Sequence, residues 1–311
     1  MRQLGDPRPA APPGGDPPVS DALARAAALP CWSGPVTPRP LDGGITNTNF
    51  VVDDGDRRHV VRIGADIPEH GVMRFNELAA SRAAHAAGVS PAVVHAEPGA
   101  LVLDFIDGRT LTPGDLRDRA MIDRVVPLLR RVHQAIPRHL EGAVLAFWVF
   151  QVLRDYQRRL RGGACRRAAE LDRLAAAAEA LEGAVGPVTL VFGHNDLLAA
   201  NLIDDGTRLW LVDWDYAGLN SPLFDLSNLA TNNGLDDATA RYLLETYDGA
   251  PAHGARWRAF RAMGCASLLR ETMWSMVSEI HSTLDYDYAT YTDDNLARFD
   301  AAWDTFCTEH R

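Results

Sequence analysis

Val191-Phe192-Gly193-His194-Asn195-Asp196-Leu197-Leu198-Ala199-Ala200-Asn201-Leu202-Ile203, with Leu209-Trp210-Leu211-Val212-Asp213-Trp214-Asp215-Tyr216 close behind, decides the reading of this chain. The apolar run 188–192 predicts a short buried strand that empties into a polar loop. Two more apolar runs, 201–203 and 209–212, flank the turn Asp204-Asp205-Gly206 and predict a hairpin. One compact hairpin holds Asp196, Asn201 and Asp213 together. Phosphoryl transfer needs that combination: one carboxylate to accept a hydroxyl proton, plus an amide oxygen and a second carboxylate to hold magnesium. The plainer alternative, a strand-loop-strand with solvated acids, requires these residues to coincide by chance.

Composition sets the bounds. The 311 residues suffice for one large or two medium domains. A formal charge of −10 argues against a nucleic-acid partner. All 31 Lys+Arg positions are Arg, so any phosphate contact that Lys would make falls to Arg. Cys31, Cys165, Cys265 and Cys307 form no C-x-x-C pair and predict free thiols in a reducing cytoplasm. No apolar leader core and no run of 18 apolar residues occurs, so no membrane insertion is expected.

Outward toward the N-terminus, 41–52 reads as a turn and then a strand, and a hairpin turn at 53–56 leads into a second strand at 59–63. Gly43 and Gly44 let the backbone approach an anion, and Thr46 and Asn47 add donors, with Asn49 beside them. That loop alone also fits a plain tight turn. Arg62 falls on the second strand, and a helix spans 69–87. Another hairpin follows at 92–95 and 100–106. Residues 1–18, rich in Pro, Gly and Ala, predict a disordered tail, and 19–29 a short helix. Beyond residue 112 the periodicity turns helical at 113–136, 147–161 and 165–181. Past the central stretch, Ser221-Pro222 starts a helix, and others span 236–247 and about 255–281. Asp225 is either a first-turn acid or a buried brace. The aromatics Trp274, Tyr286 and Tyr291 fit a core stripe as well as a binding site.

The segments 194–203, 211–218 and 221–229, reading HNDLLAANLI, LVDWDYAG and SPLFDLSNL, resemble the choline/ethanolamine kinase family. That family lies within the aminoglycoside-phosphotransferase and protein-kinase-like superfamily. The resemblance runs from about residue 41 to about residue 299. It implies an α/β (α+β) fold with two protein-kinase-like lobes, a small antiparallel-sheet lobe and a mainly helical one. It places Arg62 where most kinase-like enzymes carry Lys, and Glu77 as its partner. It makes 101–108, with Asp104 and Ile106, a hinge whose backbone meets adenine. It makes Asp225 a brace for the catalytic loop. Trp274, Tyr286, Tyr291 and Tyr216 match aromatic positions around a quaternary ammonium, where cation–π attraction suits the headgroup. Two positions depart from the family: Glu271 stands in place of a Trp, and Asn232 in place of an acid. Asp215 joins these as a candidate substrate contact.

The expectation is therefore an ATP- and Mg2+-dependent kinase acting on the hydroxyl of a small amino alcohol, choline first. Residues 19–106 are expected to form the ATP-binding lobe, and 107–311 the catalytic and substrate-binding lobe. Asp196 orients and deprotonates the hydroxyl, Asn201 and Asp213 hold magnesium, and Arg62 contacts phosphate. The alternatives are an aminoglycoside kinase, a kinase of ethanolamine or thiamine, and a non-catalytic kinase-like binding module.

Overall fold

A computed structural model of the chain describes residues 19–41, 47–284 and 286–309. The expected tail at 1–18, and Gly43, Gly44 and Thr46 of the glycine loop, lie outside them. Helix α1 (Val19–Ala27) precedes strands β1 (Arg39–Leu41), β2 (Thr48–Asp54) and β3 (Arg57–Ile63). The β2–β3 hairpin turns at Gly55, whose φ of 65° suits glycine. Helix α2 (Arg74–Ala86) and strands β4 (Val93–Glu97) and β5 (Ala100–Asp104) follow. The strands form one antiparallel sheet in the order β1-β2-β3-β5-β4. Alternation turns Phe50, Val52, Val61, Ile63 and Val102 to one face, where they pack with Ala22 and Ala26 of α1. Arg62, between Val61 and Ile63, consequently points to the opposite face, toward α2.

The remaining elements are β6 (Arg109–Thr110), α3 (Arg119–Ala135), α4 (Val149–Gly162), α5 (Leu171–Val185), β7 (Val191–Gly193), β8 (Leu202–Asp204), β9 (Leu209–Leu211), β10 (Gly218–Asn220), α6 (Pro222–Asn232), α7 (Asp237–Asp248), α8 (Gly254–His281) and α9 (Tyr288–Glu309). The stretch 259–278 of helix α8 is buried between α4, α5, α6 and α9, and its mostly apolar residues fall on every side of the helix. Alanines 80, 83 and 84 of α2 join this larger core rather than the sheet's own cluster.

Several boundaries differ from the sequence expectation, each for a local reason. The helix expected at 113–136 begins only at Arg119, because Asp118 caps it by accepting the Ala120 N–H at 3.0 Å. The helix expected at 69–87 begins at Arg74, because Ile67 and Val72 bridge across a turn with Gly71 at φ 72°. The helix expected at 165–181 occupies Leu171–Val185. Strand β1, too short to show alternation, was not foreseen.

The central stretch is anchored at both ends. Strand β7 pairs with β10, Gly193 opposite Gly218, so residues 194–217 form a closed excursion. A Cβ at Gly218 would lie 2.8 Å from the Leu145 carbonyl oxygen, so only glycine fits there. Within the excursion β8 and β9 form the expected hairpin, with β6 as a third strand. Among the described residues no helix is long and apolar enough to cross a membrane.

Candidate active site

The excursion between β7 and β10 forms one wall of a cavity of about 300 Å3. Asp196, Asn201, Asp213, Asp215, Tyr216, Asn232, Glu271, Trp274 and Tyr291, all singled out in the sequence, line it. Asn201 Nδ2 donates to the Asp196 carbonyl at 3.0 Å, and the Val212 N–H donates to the Asn201 carbonyl at 3.0 Å. The hairpin thus unites Asp196, Asn201 and Asp213.

The loop backbone is shaped by buried partners. His194 Nε2 donates to the Val212 carbonyl at 2.9 Å, and its Nδ1 accepts the Asp196 N–H at 3.3 Å. Burial lowers the His194 pKa, which keeps the ring neutral and able to make both bonds. Asn195 and Asp213 adopt φ of 67° and 70°, a left-handed conformation costly for non-glycine residues. Asn195 is held there by its side chain, which donates to the Tyr216 carbonyl at 3.0 Å.

Helix α6 supplies three further supports. Asp225 accepts the His194 and Asn195 N–H groups at 2.8 and 2.7 Å, and also contacts His133 Nε2 at 2.9 Å. Asn228 accepts the Leu197 N–H at 2.6 Å, and Asn233 the Ala199 N–H at 2.8 Å. Asp225 is a buried brace and not merely a first-turn acid. The two asparagines were missed, although Asn228 lies one turn after Asp225 on the same helix face.

Beside Asp213 lies a buried ion cluster. Arg62 reaches Glu77 at 2.8 Å, Asp213 at 3.0 Å and Asp215 at 2.9 Å. Arg74 reaches Glu77 at 2.7 Å and Asp215 at 2.9 Å. Asn47 Nδ2 donates to Asp215 at 3.0 Å, and Asn49 lies opposite Arg62 in the sheet. Burial alone would lower the Arg62 pKa, but Asp213, Glu77 and Asp215 hold it well above its usual value. Arg62 is the cation that strand β3 brings to this cluster. Arg74, one turn before Glu77 on α2, is a second cation of the cluster.

Asp196 is strongly perturbed by its surroundings. Burial pushes its carboxyl up to about 7; Arg270 opposes this, and Glu271, Asp213 and Asp215 add to it. Its side chain keeps 21% of its surface, open to the cavity. Arg270, the largest omission of the sequence reading, lies beneath. It is 2% exposed, pairs with Glu271 at 2.9 Å and sits 3.9 Å from Asp196. Its guanidinium carbon lies 4.3 Å from the Tyr216 ring centroid and 5.7 Å from that of Phe147. The adjacent charges Arg270 and Glu271, set between the apolar runs 262–269 and 272–278 of α8, were the signal available.

The expected aromatic surround is only partly assembled. Trp274 Nε1 donates to the Tyr216 hydroxyl at 2.9 Å, and its ring lies 4.9 Å from that of His70 at 31°. Tyr291 donates to Glu271 at 2.8 Å. Tyr286 is 46% exposed, packs edge-on against Tyr288 and Tyr291, and is not on the cavity wall. The turn after α8 carries it outward. Asp104 and Ile106 line a separate cavity of about 450 Å3 with Arg57, Arg58 and Trp210, where the Asp104 carboxylate pairs with Arg57 at 2.8 Å.

The donor set suits magnesium. Asp213 and Asn201 offer hard oxygen ligands from adjoining backbone, as few as Mg2+ takes when water and phosphate fill its other positions. Among the described residues no group of three or more His, Cys, Asp or Glu could hold a metal by itself.

Known proteins resemble most of this chain. A family model for choline/ethanolamine kinase matches residues 39–251. Protein LicA of Haemophilus influenzae is 29% identical over 278 residues, 84% of this chain and 77% of that protein. Ethanolamine kinase 2 of Mus musculus is 25% identical over 279 residues, 80% of this chain and 71% of that protein. The crystal structure of a choline/ethanolamine kinase family protein from Mesorhizobium loti shares 29% identity, covers 91% of this chain and 94% of its own, and superposes with a TM-score of 0.73. The architecture is thus the two-lobe kinase-like α+β fold that the resemblance implied.

Proposed function

The chain belongs to the choline/ethanolamine kinase family, and on that premise we propose that it transfers the γ-phosphoryl group of ATP to the hydroxyl of a small amino alcohol, choline being the acceptor that the resemblance implies. The observation that carries this reading is the Asp196 carboxyl on the wall of one cavity with Asn201, Asp213, Glu271, Trp274 and Tyr291. Asp196 orients the acceptor hydroxyl and takes its proton. Asn201 and Asp213 would hold Mg2+, which when bound neutralises charge on the phosphates. Arg62, kept in place by Glu77, exchanges an aspartate for phosphate oxygens, and Arg74 stands ready beside it. Residues 19–106 are read as the ATP-binding lobe and 107–311 as the catalytic lobe.

A second acceptor, a primary-ammonium alcohol such as ethanolamine, is favoured by one specific observation. Tyr286 is off the wall and Glu271 is on it, which replaces aromatic surface with a hydrogen-bond acceptor. The test is ATP consumption by the purified protein with choline, ethanolamine, thiamine and a set of aminoglycosides. Turnover with either amino alcohol is expected. Turnover with an aminoglycoside alone would replace the reading with the aminoglycoside kinase.

A further inference from the structure

Arg270 is a buried cation on the floor of a cavity read as a cation site. Only part of its charge is answered by a carboxylate: Nη1 meets Glu271 at 2.9 Å, and Asp196 is at 3.9 Å. Among the described residues Nε and Nη2 find no hydrogen-bond acceptor. What they meet is aromatic. The guanidinium carbon stands 4.3 Å from the Tyr216 ring centroid, with Phe147 at 5.7 Å. Tyr216 is thus a wall residue with a cation of the protein already over its ring. A quaternary ammonium has no N–H to donate and depends on aromatic faces. A primary ammonium can be held by carboxylates alone.

We propose that Arg270 is the specificity-determining residue of the acceptor site: by occupying the Tyr216 face it disfavours quaternary ammonium groups relative to primary ones. The inference rests on the reading of this cavity as the acceptor site. Arg270 also engages one Glu271 oxygen while the Tyr291 hydroxyl engages the other. Glu271 is therefore partly neutralised, and its value to a substrate cation depends on Arg270 as well.

The test separates binding from turnover. Tetramethylammonium, which has no hydroxyl to phosphorylate, is titrated against intrinsic tryptophan fluorescence, and choline and ethanolamine are compared as acceptors. Arg270→Leu is expected to tighten tetramethylammonium binding about tenfold and to raise the choline-to-ethanolamine ratio of kcat/KM by a similar factor, the scale of one desolvated cation–π contact. Removing any positive charge from the cavity would help a cation, so Arg298→Leu is the control. Arg298 lines the same cavity but bonds to Thr231 and Asn295 rather than covering a ring. An unchanged ratio in Arg270→Leu, or an equal gain in Arg298→Leu, overturns the proposal. If Arg270→Leu fails to fold because Glu271 is left unpaired, the R270L/E271Q variant is measured against E271Q, with the same tenfold gain expected. If the wild type phosphorylates no amine, the functional reading fails, while the tetramethylammonium titration still judges Arg270.

Discussion

On the proposed function, Asp196 concentrates the chemistry in one carboxyl. A general base that titrates near 7 works well at neutral pH, because it is substantially ionised yet still basic. Asp196→Asn is expected to cut turnover by about two to four orders of magnitude with the fold intact, and near-normal turnover would remove it from that role. The same shift has a consequence for stability. Between 3.8 and about 7 the folded protein keeps this proton while the unfolded chain releases it, so the group's contribution weakens as pH rises and is fully adverse above 7. The shift corresponds to at most about 4 kcal/mol, less what solvent in the cavity screens. Without magnesium, Asp196→Asn should therefore melt higher than wild type at pH 8, by a margin that shrinks toward pH 4. A margin independent of pH would mean that the carboxyl titrates normally. Glu271, by contrast, already serves Arg270 and Tyr291. Glu271→Gln should raise the KM for the amine acceptor and leave that for ATP nearly unchanged.

Helix α6 acts as a jig for the catalytic loop. One helix and its C-terminal end capture four backbone N–H groups, from His194, Asn195, Leu197 and Ala199. A loop with two non-glycine residues at positive φ relaxes if these bonds go. Asn228→Ala leaves the Leu197 N–H buried without its partner, a loss of about 1–3 kcal/mol. Its melting temperature and its kcat should fall together, with the KM for ATP nearly constant. An unchanged kcat would show that the loop holds its shape without this support. Asp225 adds a pH dependence of the opposite sign to that of Asp196. Burial raises its pKa, but the bond and charge of His133 with the N–H of His194 outweigh this and leave it below 3.8. Its contribution is present above 3.8 and lost as pH falls through the lower folded value.

Across the whole molecule, the sheet part and the helical part meet through charge. Arg62 on β3, Arg74 and Glu77 on α2, and Asp213 and Asp215 after β9 form one buried cluster. Asn76 adds a bond to the Ala217 carbonyl at 2.8 Å, and His70 reaches Ser278 of α8 at 3.0 Å. Removing one member of a buried pair costs about 3–5 kcal/mol, because its partners are left charged. Arg62→Ala should therefore melt well below wild type and show a raised KM for ATP. Magnesium should recover more of the melting temperature in this variant than in wild type, since a cation at Asp213 offsets the missing guanidinium. Equal recovery would place the metal away from Asp213.

The primary structure alone determined the hairpin that carries Asn201 and Asp213, the β2–β3 strands and the helices other than α9. These depend on backbone periodicity and turn chemistry within short spans, and Asp196, Asn201 and Asp213 lie on one such span. Arg62 and Glu77 came only through the resemblance, and the structure pairs them at 2.8 Å. The helix starts at Arg119 and Arg74 differ from the expectation because a single cap or turn outweighed a continuing apolar period. Tertiary structure alone decided which faces of the aromatic residues remain available. Tyr216 and Arg270 are distant in sequence, as are Trp274 and His70, and no periodicity reports that a guanidinium or an imidazole will cover a ring. Tyr286 looked equivalent to Tyr291 as a neighbour in the chain, yet the turn before α9 turned one outward and the other into the cavity. Asp196, Asn201 and Asp213 lie on one local span and could be read together, whereas Arg62, Arg74 and Glu77 come to Asp213 and Asp215 only through the packing of β3 and α2, and the cavity lining from α8 and α9 was likewise chosen by packing.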